Sequence, residues 1–324
     1  MAEISRRGFL SLGIGALAVA SLPVAIWRQQ RLTRRSMPIM GTVADIVVLD
    51  GSVMLAHAGI DNALAELRRV ERMLTRFDAG SDIGRVNLAR VGDPVAVSAE
   101  TASVVAAALR WAEDSDGAYD PAIGAAVQLW DVTRRQAPPD RAALKRLAGR
   151  RLYRAIEVGT FRGRPVVVRR DADAHLDLGG IGKGYGVDRA TARLRDAGIT
   201  DAIVDVGGDL VAIGAGPDGD GWSVGIQSPR APSEIDRTLK VTDAAVATSG
   251  TYAQFFAHQG RRYHHLIDPR DAAPRSTAVQ SFTVRAESCL KADVAATACF
   301  GMSGPDRDRV LGRHAGITSV ASII

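Results

Sequence analysis

The stretch from Leu176 to Asp188 reads LDLGGIGKGYGVD. Apolar residues alternate over His175 to Leu178, which predicts a strand, and a glycine-rich turn then leads into a helix predicted over Lys183 to Ala197. The free N–H groups and the dipole at the start of such a helix favour an anionic phosphate. The glycine spacing matches neither the Walker A motif nor the dinucleotide fingerprint, so two alternatives stay open: a phosphate site, or a tight strand-to-helix corner.

The segments on either side of this stretch differ in character. Before it, Thr42 to Leu49 is a β-branched run typical of a strand, and apolar residues at helical spacing predict a helix ending near Leu74 and another over Thr101 to Ala112. A polar, turn-rich stretch follows the first helix, from Phe77 to Asn87. Proline and aspartate near residue 140 indicate a short helix that ends at Leu147.

After about residue 160 the pattern changes to short strands. They are predicted at Val166 to Val168, Ala202 to Val206, Val211 to Ile213, Trp222 to Ile226, Leu239 to Thr248, Tyr263 to Ile267 and Phe282 to Arg285, with a further helix at Ala292 to Met302. A helix-rich first half followed by many short strands favours an α+β fold over a doubly wound sheet.

Composition and charge exclude several classes of protein. The 324 residues are 46% hydrophobic, 24% charged and 5% aromatic, which excludes disordered, collagen-like and disulfide-scaffold proteins. The net charge is +5, and residues 1–36 account for all of it with six arginines and one acidic residue. Because the remainder is electrically balanced, we expect no nucleic acid as a partner.

The N-terminus has the plan of a targeting signal. The string Ser5-Arg6-Arg7-Gly8-Phe9-Leu10 precedes a charge-free apolar run from Ser11 to Ala25 and resembles the twin-arginine export signal. We therefore expect residues 1–36 to be a signal peptide or anchor with a linker, residues 37–324 to be the folded domain, and the protein to reach the periplasm through the twin-arginine machinery. Cleavage and retention as an inner-membrane anchor stay open, as does a buried N-terminal helix.

Two cysteines and a helix-borne aspartate raise separate questions. If the segment between Cys289 and Cys299 is helical, the rise of about 1.5 Å per residue separates them by roughly 15 Å, too far for a disulfide, so both are expected in the core. Asp293 and Thr297 lie four residues apart on one helix face. A carboxylate and a hydroxyl suit Mg²⁺ that bridges phosphates, and the alternative is a simple dipole-favoured cap.

Three further strings carry polar residues that suit a site. Tyr263-His264-His265 opens a short strand, where alternation sends the two histidines to opposite faces, so at most one points into a given cleft. Ser249-Gly250-Thr251-Tyr252 and Gly207-Gly208-Asp209 each either bind a ligand or turn the chain.

Taken in order, these strings resemble the ApbE family of FAD:protein FMN transferases. The matching blocks are Met40-Gly41-Thr42, Phe77 to Asn87, Tyr119-Asp120-Pro121 with Leu129-Trp130, Asp177 to Asp188, Val206 to Asp209, Ser249 to Tyr252, His265 to Pro269, and Ala292-Asp293 to Thr297. Two positions depart from the family pattern: Gly182 stands where alanine is frequent, and Thr251 where aspartate is frequent. The cysteine that carries the lipid anchor in many family members, after the signal peptide, is absent, so we expect no lipid anchor.

The resemblance implies a fold and a set of ligands. The fold would be α+β, T-fold-like and internally duplicated, with mixed or antiparallel sheets and packed helices. Mg²⁺ would be bound by Asp293, Thr297 and the carbonyl of Gly180. FAD, as substrate, would contact Met40, Phe77, Tyr119, Asp120, Asp177, Lys183 and His265, and Ser249 and Gly250 would line the same cleft.

The resemblance also implies a reaction. A threonine or serine hydroxyl of a client flavoprotein would attack the FMN-side phosphorus of FAD and release AMP. The catalytic residues would be Lys183, Asp293 and His265. Lys183 and the Mg²⁺ that Asp293 binds would neutralise the developing charge, and His265 would accept the proton. The alternatives are a periplasmic FAD pyrophosphatase and a non-catalytic flavin-binding or flavin-delivery protein. The export signal further resembles the NosX branch of the family, which serves nitrous oxide reductase maturation and has a membrane flavoprotein as client.

Overall fold

The computed structural model describes residues 31–231 and 233–323. Their helices are α1 Val53–Leu74, α2 Asp82–Leu88, α3 Ala99–Asp114, α4 Gly124–Trp130, α5 Arg141–Leu147, α6 Gly182–Asp196, α7 Cys289–Ala298 and α8 Gly304–Leu311, with a 3₁₀ turn at Leu152–Ala155. Their strands are β1 Arg31–Ile39, β2 Thr42–Asp50, β3 Pro94–Ala96, β4 Ile156–Phe161, β5 Arg164–Arg169, β6 Ala202–Val206, β7 Asp209–Ile213, β8 Trp222–Gln227, β9 Ile235–Val241, β10 Ala244–Gly250, β11 Phe255–His258, β12 Arg261–His264, β13 Ile267–Asp268, β14 Ala273–Pro274, β15 Ser281–Ala286 and β16 Ile317–Ile323.

A seven-stranded sheet organises the molecule, in the order β1-β2-β6-β7-β10-β15-β16. Every neighbouring pair in it is antiparallel. The turn between β6 and β7 is tight, so that Val206 pairs with Asp209, and Asp209 in turn pairs with Ala247 on β10. This register puts the carboxylate of Asp209 at the end of the central strands, where the site lies.

Both faces of the sheet are covered, and strand alternation decides which side chain faces which layer. On β2, Ile46 and Val48 join the large core formed with the helices, whereas Val47 and Leu49 join a second cluster under the hairpin β8–β9. Trp222 on that hairpin is almost fully buried, and its indole N–H donates to the carbonyl of Ile213 at 2.9 Å. The sheet is therefore the middle layer between helices and a hairpin.

Helices α6 and α7 cross at very short distance. A Cβ atom on Gly184 would lie 2.3 Å from the carbonyl oxygen of Cys289 and 2.8 Å from the Cβ of Asp293, so only glycine fits there. Asp188 on α6 accepts hydrogen bonds from the N–H groups of Cys289 and Leu290, at 2.7 and 2.9 Å. These contacts satisfy free N–H groups in the first turn of α7 and fix the helix that carries Asp293.

The α+β class is confirmed, with helices packed on antiparallel sheets. The internal duplication stays a prediction. The helices expected to end near Leu74, over Thr101 to Ala112, up to Leu147 and from Lys183 are present as α1, α3, α5 and α6. Cys289 and Cys299 are both buried and free, as expected.

Several element predictions were wrong. His175 to Leu178 is an irregular segment with a single bridge, between Ile123 and His175. The stretch from Phe77 to Asn87 contains α2, whose N-cap Ser81 accepts from the N–H of Gly84 at 2.8 Å. The strand expected over Leu239 to Thr248 is two strands, because Asp243 between them adopts a left-handed conformation with φ of 44°.

The N-terminal region needs a revised boundary. Strand β1 begins at Arg31 and pairs with β2, so residues 31–36 belong to the sheet rather than to a linker. Within this strand, Arg34 forms an ion pair with Asp45, and Arg35 with Asp61. The twin-arginine string and the apolar run lie outside the described residues. In residues 31–231 and 233–323, no helix combines the length and apolar character needed to cross a membrane.

Candidate active site

Lys183 lies between two buried carboxylates. It is the second residue of α6, and its ammonium group forms an ion pair with Asp209 and lies 3.8 Å from Oδ1 of Asp293. The aspartate side chains are 3% and 4% exposed, whereas that of Lys183 is 29% exposed. Two buried acidic groups that share one lysine leave the cluster with an excess negative charge when both are ionised.

The pKa values of the cluster reflect this arrangement. Burial raises the pKa of Asp293, the charge of Asp209 raises it further, and Lys183 opposes both effects. Burial also raises the pKa of Asp209, against the attraction of Lys183. For Lys183, burial lowers the pKa, but the two carboxylates outweigh it and the net pKa is raised, so the ammonium form is retained.

One oxygen of Asp293 has a fixed partner. Its Oδ2 accepts the N–H of Gly184 at 2.9 Å, a contact that the glycine crossing of α6 and α7 permits. The carboxylate is thereby oriented, and Oδ1 faces the ammonium group of Lys183. The N-terminal turn of α6 thus contributes both a cation and a backbone donor to the same cluster.

Thr297 and Gly180 lie together next to this cluster. A Cβ atom on Gly180 would come 2.8 Å from Cγ2 and 3.0 Å from Oγ1 of Thr297, so the two residues touch only because position 180 is glycine. The hydroxyl of Thr297 is 3.4 Å from that of Ser249 on β10. Carboxylate, hydroxyl and carbonyl oxygens are the donor types that Mg²⁺ prefers, and the excess negative charge suits a divalent cation. The residues therefore fit the implied ion, although no cluster of three or more His, Cys, Asp or Glu side chains with metal-binding geometry occurs in the described parts of the chain.

His265 follows β12 and is half-buried. Its Nδ1 lies 3.3 Å from the carbonyl of Gln254, which accepts, so the ring N–H is on Nδ1 and Nε2 carries the lone pair. Burial lowers the pKa of His265 to about 4, opposed by the Gln254 contact and assisted by the charges of His264 and Lys183. The imidazole is therefore neutral at pH 7 with its lone pair on Nε2, and the lowered pKa makes it a weaker base than an exposed histidine.

Its neighbour His264 has a structural position. His264 is buried, its Nε2 donates to the carbonyl of Arg275 at 3.1 Å, and its Nδ1 accepts the N–H of Leu266 at 3.2 Å. The prediction that at most one of the two histidines faces the cleft fits this arrangement. The strand expected over Tyr263 to Ile267 is interrupted here, because Leu266 donates to a ring nitrogen instead of a neighbouring strand.

Tyr119 presents a buried hydroxyl with no hydrogen-bond partner among the described residues. Burial raises the pKa of Tyr119, and the charges of Asp293 and Asp177 raise it further, which means that these carboxylates lie near the phenol. An unpaired buried hydroxyl is costly unless a ligand satisfies it. Asp120 differs, because its carboxylate accepts the N–H of Ala122 at 2.8 Å and so shapes this loop.

Asp177, Phe77 and Met40 surround the glycine turn. Asp177 forms an ion pair with Arg76 at 2.8 Å and accepts the N–H of Gly179 at 2.8 Å. Phe77 is 80% exposed, with the guanidinium of Arg76 stacked 4.3 Å from its ring centre. Met40, in the turn between β1 and β2, lies against α6, since a Cβ atom on Gly186 would be 2.9 Å from its methyl group.

The structure thus brings together Lys183, Asp293, Thr297, Gly180 and Ser249, and connects Asp177 to Phe77 through Arg76. Gly250 follows Ser249 at the end of β10 and lies against the ring of Tyr252. Two residues that contact predicted site residues were not themselves predicted for the site: Asp209, which pairs with Lys183, and Arg76, which pairs with Asp177. The string Gly207-Gly208-Asp209 was the available signal for Asp209, but its pairing with Lys183 depends on how α6 packs on the sheet.

Comparisons with known proteins agree with this fold and show the family of the chain. The ApbE family profile matches residues 40–320. A FAD:protein FMN transferase of Treponema pallidum is 35% identical over 257 residues, which cover 75% of this chain and 71% of that protein. A FAD:protein FMN transferase of Vibrio cholerae is 31% identical over 265 residues, covering 80% and 78% of the two chains.

Solved structures give the same result. The ApbE protein of Thermotoga maritima superposes with a TM-score of 0.78 at 29% identity, covering 90% of this chain and 94% of that one. The flavin transferase ApbE of Vibrio cholerae superposes with a TM-score of 0.75 at 25% identity, covering 90% and 97%. The fold and these relatives define an α+β enzyme, in which Lys183 and two buried aspartates form a cluster at the start of α6. The chain belongs to the ApbE family.

Proposed function

We propose that this protein is a FAD:protein FMN transferase that attaches FMN to a threonine or serine hydroxyl of a client flavoprotein and releases AMP. The observation that carries the proposal is the cluster of Lys183, Asp209 and Asp293 beside Thr297 and Gly180. It combines a cation, hard oxygen ligands and a helix N-terminus, which are the groups that a pyrophosphate substrate requires.

The roles of the side chains follow from their contacts. The ammonium group of Lys183 is held at the start of α6 by Asp209, so it is oriented before substrate binds and can stabilise negative charge on phosphate oxygens. His265 is neutral, with Nε2 available, and is the candidate to accept the proton of the attacking hydroxyl. The unpaired hydroxyl of Tyr119 is available to donate a hydrogen bond to bound FAD.

Mg²⁺ is part of the proposal. Asp293, Thr297 and the carbonyl of Gly180 would hold it, and it would supply electrophilic charge to the pyrophosphate. The fit rests on the oxygen donor set and on the close contact between Gly180 and Thr297. A larger residue at position 180 would clash with Thr297 and prevent this contact.

Export completes the proposal. The twin-arginine string at residues 5–10 supports transport to the periplasm in the folded state, and the client would then be an exported or membrane-bound redox flavoprotein. The NosX-like branch is the corresponding sub-assignment.

A single assay separates transfer from hydrolysis. Purified protein is incubated with FAD, Mg²⁺ and candidate client flavoproteins, and flavin fluorescence of the denatured client is compared with free FMN and AMP. Transfer predicts covalent client fluorescence and AMP without free FMN. Free FMN with AMP and an unlabelled client would instead identify a pyrophosphatase, and FAD binding without AMP a delivery protein. The Asp293→Ala variant should be inactive, whereas the exposed-site control Asp220→Ala should retain activity.

A further inference from the structure

Arg275 contacts three segments that each carry a site residue. Its Nη1 donates to the carbonyls of Phe300 and Ala298, at 2.5 and 3.2 Å, and its Nη2 donates to the carbonyl of Ala118. Its own carbonyl accepts from His264, and its N–H donates to the carbonyl of Leu266 at 2.9 Å.

These partners flank the candidate site. Ala298 is the last residue of α7 and follows Thr297, and Ala118 precedes Tyr119. His264 and Leu266 enclose His265. The side chain of Arg275 therefore connects the end of α7, which carries Asp293 and Thr297, to the loop that carries Tyr119. Its backbone holds the segment His264–Leu266.

The chemistry of this contact is specific to a guanidinium group. The last carbonyls of a helix have no intrahelical donors, and a cation there is favoured by the helix dipole. Within the described residues Arg275 forms no ion pair. Its guanidinium group instead donates hydrogen bonds to backbone carbonyls. A lysine has one ammonium group on a flexible stem and cannot reproduce the planar fork that reaches two separate segments.

We propose that Arg275 is a positioning residue that holds α7 and the Tyr119 loop in register across the active site. The inference rests on the proposed function, because the two segments matter together only if they bind one substrate. Small displacements of oriented groups reduce rates strongly, so loss of the contact should lower turnover more than it lowers stability.

Arg169 provides a matched control. It lies on β5, is buried, and likewise donates to backbone carbonyls, those of Ala172 and Ala89 at 2.8 and 2.7 Å. The carbonyls that it binds belong neither to α7, nor to the Tyr119 loop, nor to the His264–Leu266 segment. Arg169→Lys should therefore cause a comparable loss of stability without changing the site.

The experiment compares Arg275→Lys and Arg169→Lys in the full chain. We expect Arg275→Lys to lower kcat for FMN transfer about tenfold and to weaken FAD binding, measured by flavin fluorescence, severalfold at temperatures below unfolding. Arg169→Lys should lower the melting temperature similarly and leave both quantities at wild-type values. Equal kinetic constants for the two variants would overturn the proposal.

Hydrogen exchange keeps the two proposals distinguishable. The amides of Ala118 and Tyr119 donate to Ser115, at 3.1 Å each, and should exchange faster in Arg275→Lys than in Arg169→Lys. This readout needs no turnover. If the wild-type protein transferred no FMN, the proposed function would fail, and the exchange data would still decide whether Arg275 holds the loop.

Discussion

At the scale of single residues, glycines decide how closely the residues of the candidate site approach one another. Gly184 allows α6 and α7 to cross where Asp293 accepts its N–H, and Gly180 allows contact with Thr297. Gly182, between them, has no such constraint, since a Cβ atom there would be 3.8 Å from Leu178 and 3.9 Å from Leu74. The same glycine-rich string thus contains positions with opposite requirements.

Substitution by alanine should separate these positions. Gly184→Ala would drive a Cβ atom into the backbone of Cys289, so we expect about 2 kcal/mol of destabilisation and loss of activity. Gly182→Ala should retain activity and be as stable as the wild type or up to about 1 kcal/mol more stable, because alanine favours a helix. Urea unfolding of both variants measures this, and equal stabilities would contradict the packing argument.

Asp209 binds Lys183 and thereby keeps the lysine from pairing closely with Asp293. It pairs with Lys183 and so leaves Oδ1 of Asp293 at a longer distance from the ammonium group. In Asp209→Asn, Lys183 should turn to Asp293 and compete with Mg²⁺, because opposite charges in a buried site attract strongly. We expect the Mg²⁺ concentration for half-maximal activity to rise about tenfold, and the rate at saturating Mg²⁺ to stay below that of the wild type, because Lys183 loses the partner that orients it.

The control for Asp209→Asn is Asp220→Asn, which removes one of the two acidic partners of Lys240, in an exposed pair at 2.6 Å. Its Mg²⁺ dependence should be that of the wild type. A Mg²⁺ dependence of Asp209→Asn that also matches the wild type would show that Lys183 does not compete for Asp293.

At the scale of elements, the long helices α1, α3 and α6 were predictable, whereas the short helix α2 and the irregular site segments were not. The apolar spacing of α1 and α3 fixes one face of each helix, and both were predicted. His175 to Leu178 alternates like a strand, yet the N–H and carbonyl of Leu176 are bonded to the side chain of Asn87, at 2.7 and 2.9 Å. Asn87, which is distant in sequence, makes the hydrogen bonds that a neighbouring strand would otherwise make. The local alternation of apolar residues cannot reveal such a partner.

The candidate site divides in the same way. The sequence placed Lys183 at a predicted helix start and Asp293 and Thr297 at helical spacing, and the resemblance to the ApbE family assigned their roles. Asp209 and Arg76 act through partners, Lys183 and Asp177, that are brought near by packing. Arg275 lies in an irregular segment, and its acceptors are backbone carbonyls, which no side-chain pattern reveals.

The segment around His264 should make stability depend on pH. Burial lowers the pKa of His264 to about 4, from an ordinary value of 6.5, and both ring nitrogens have partners that suit the neutral form. The unfolded chain therefore binds the proton more readily, and stability should fall as the pH decreases from about 6.5 to about 4. His264→Gln should flatten this part of the curve relative to wild type in urea unfolding at each pH. Parallel curves for the two proteins would exclude His264 as a source.

At the scale of the whole molecule, Glu66 links helices from distant parts of the chain. On α1 and almost fully buried, it bonds Arg69 at 2.8 Å and the α6 residues Arg189 and Arg193 at 3.1 and 3.3 Å. Arg69 in turn bonds Glu100 on α3 at 2.6 Å. The hydrogen bond from Arg69, with those of the other arginines, lowers the pKa of Glu66 to about 2.

Removal of this charge should destabilise the fold rather than the chemistry. Glu66→Gln removes the shared acceptor of three partly exposed arginines, two of which keep Glu100 as a partner, so we expect a loss of about 2 kcal/mol. Glu157→Gln, which breaks an exposed pair with Arg170, should cost about 0.5 kcal/mol or less. Chemical unfolding measures both, and similar values for the two variants would contradict a central role for Glu66. In each variant kcat below the melting temperature should stay within about twofold of wild type.

The most direct test of the central claim is the intact mass of a client flavoprotein after incubation with FAD labelled at the FMN-side phosphorus, with AMP measured in parallel. The account predicts one labelled FMN per client, bound through a threonine or serine oxygen, and AMP released in equal amount, with neither product formed by Asp293→Ala. Labelled free FMN with an unmodified client, or equal labelling by Asp293→Ala, would contradict it.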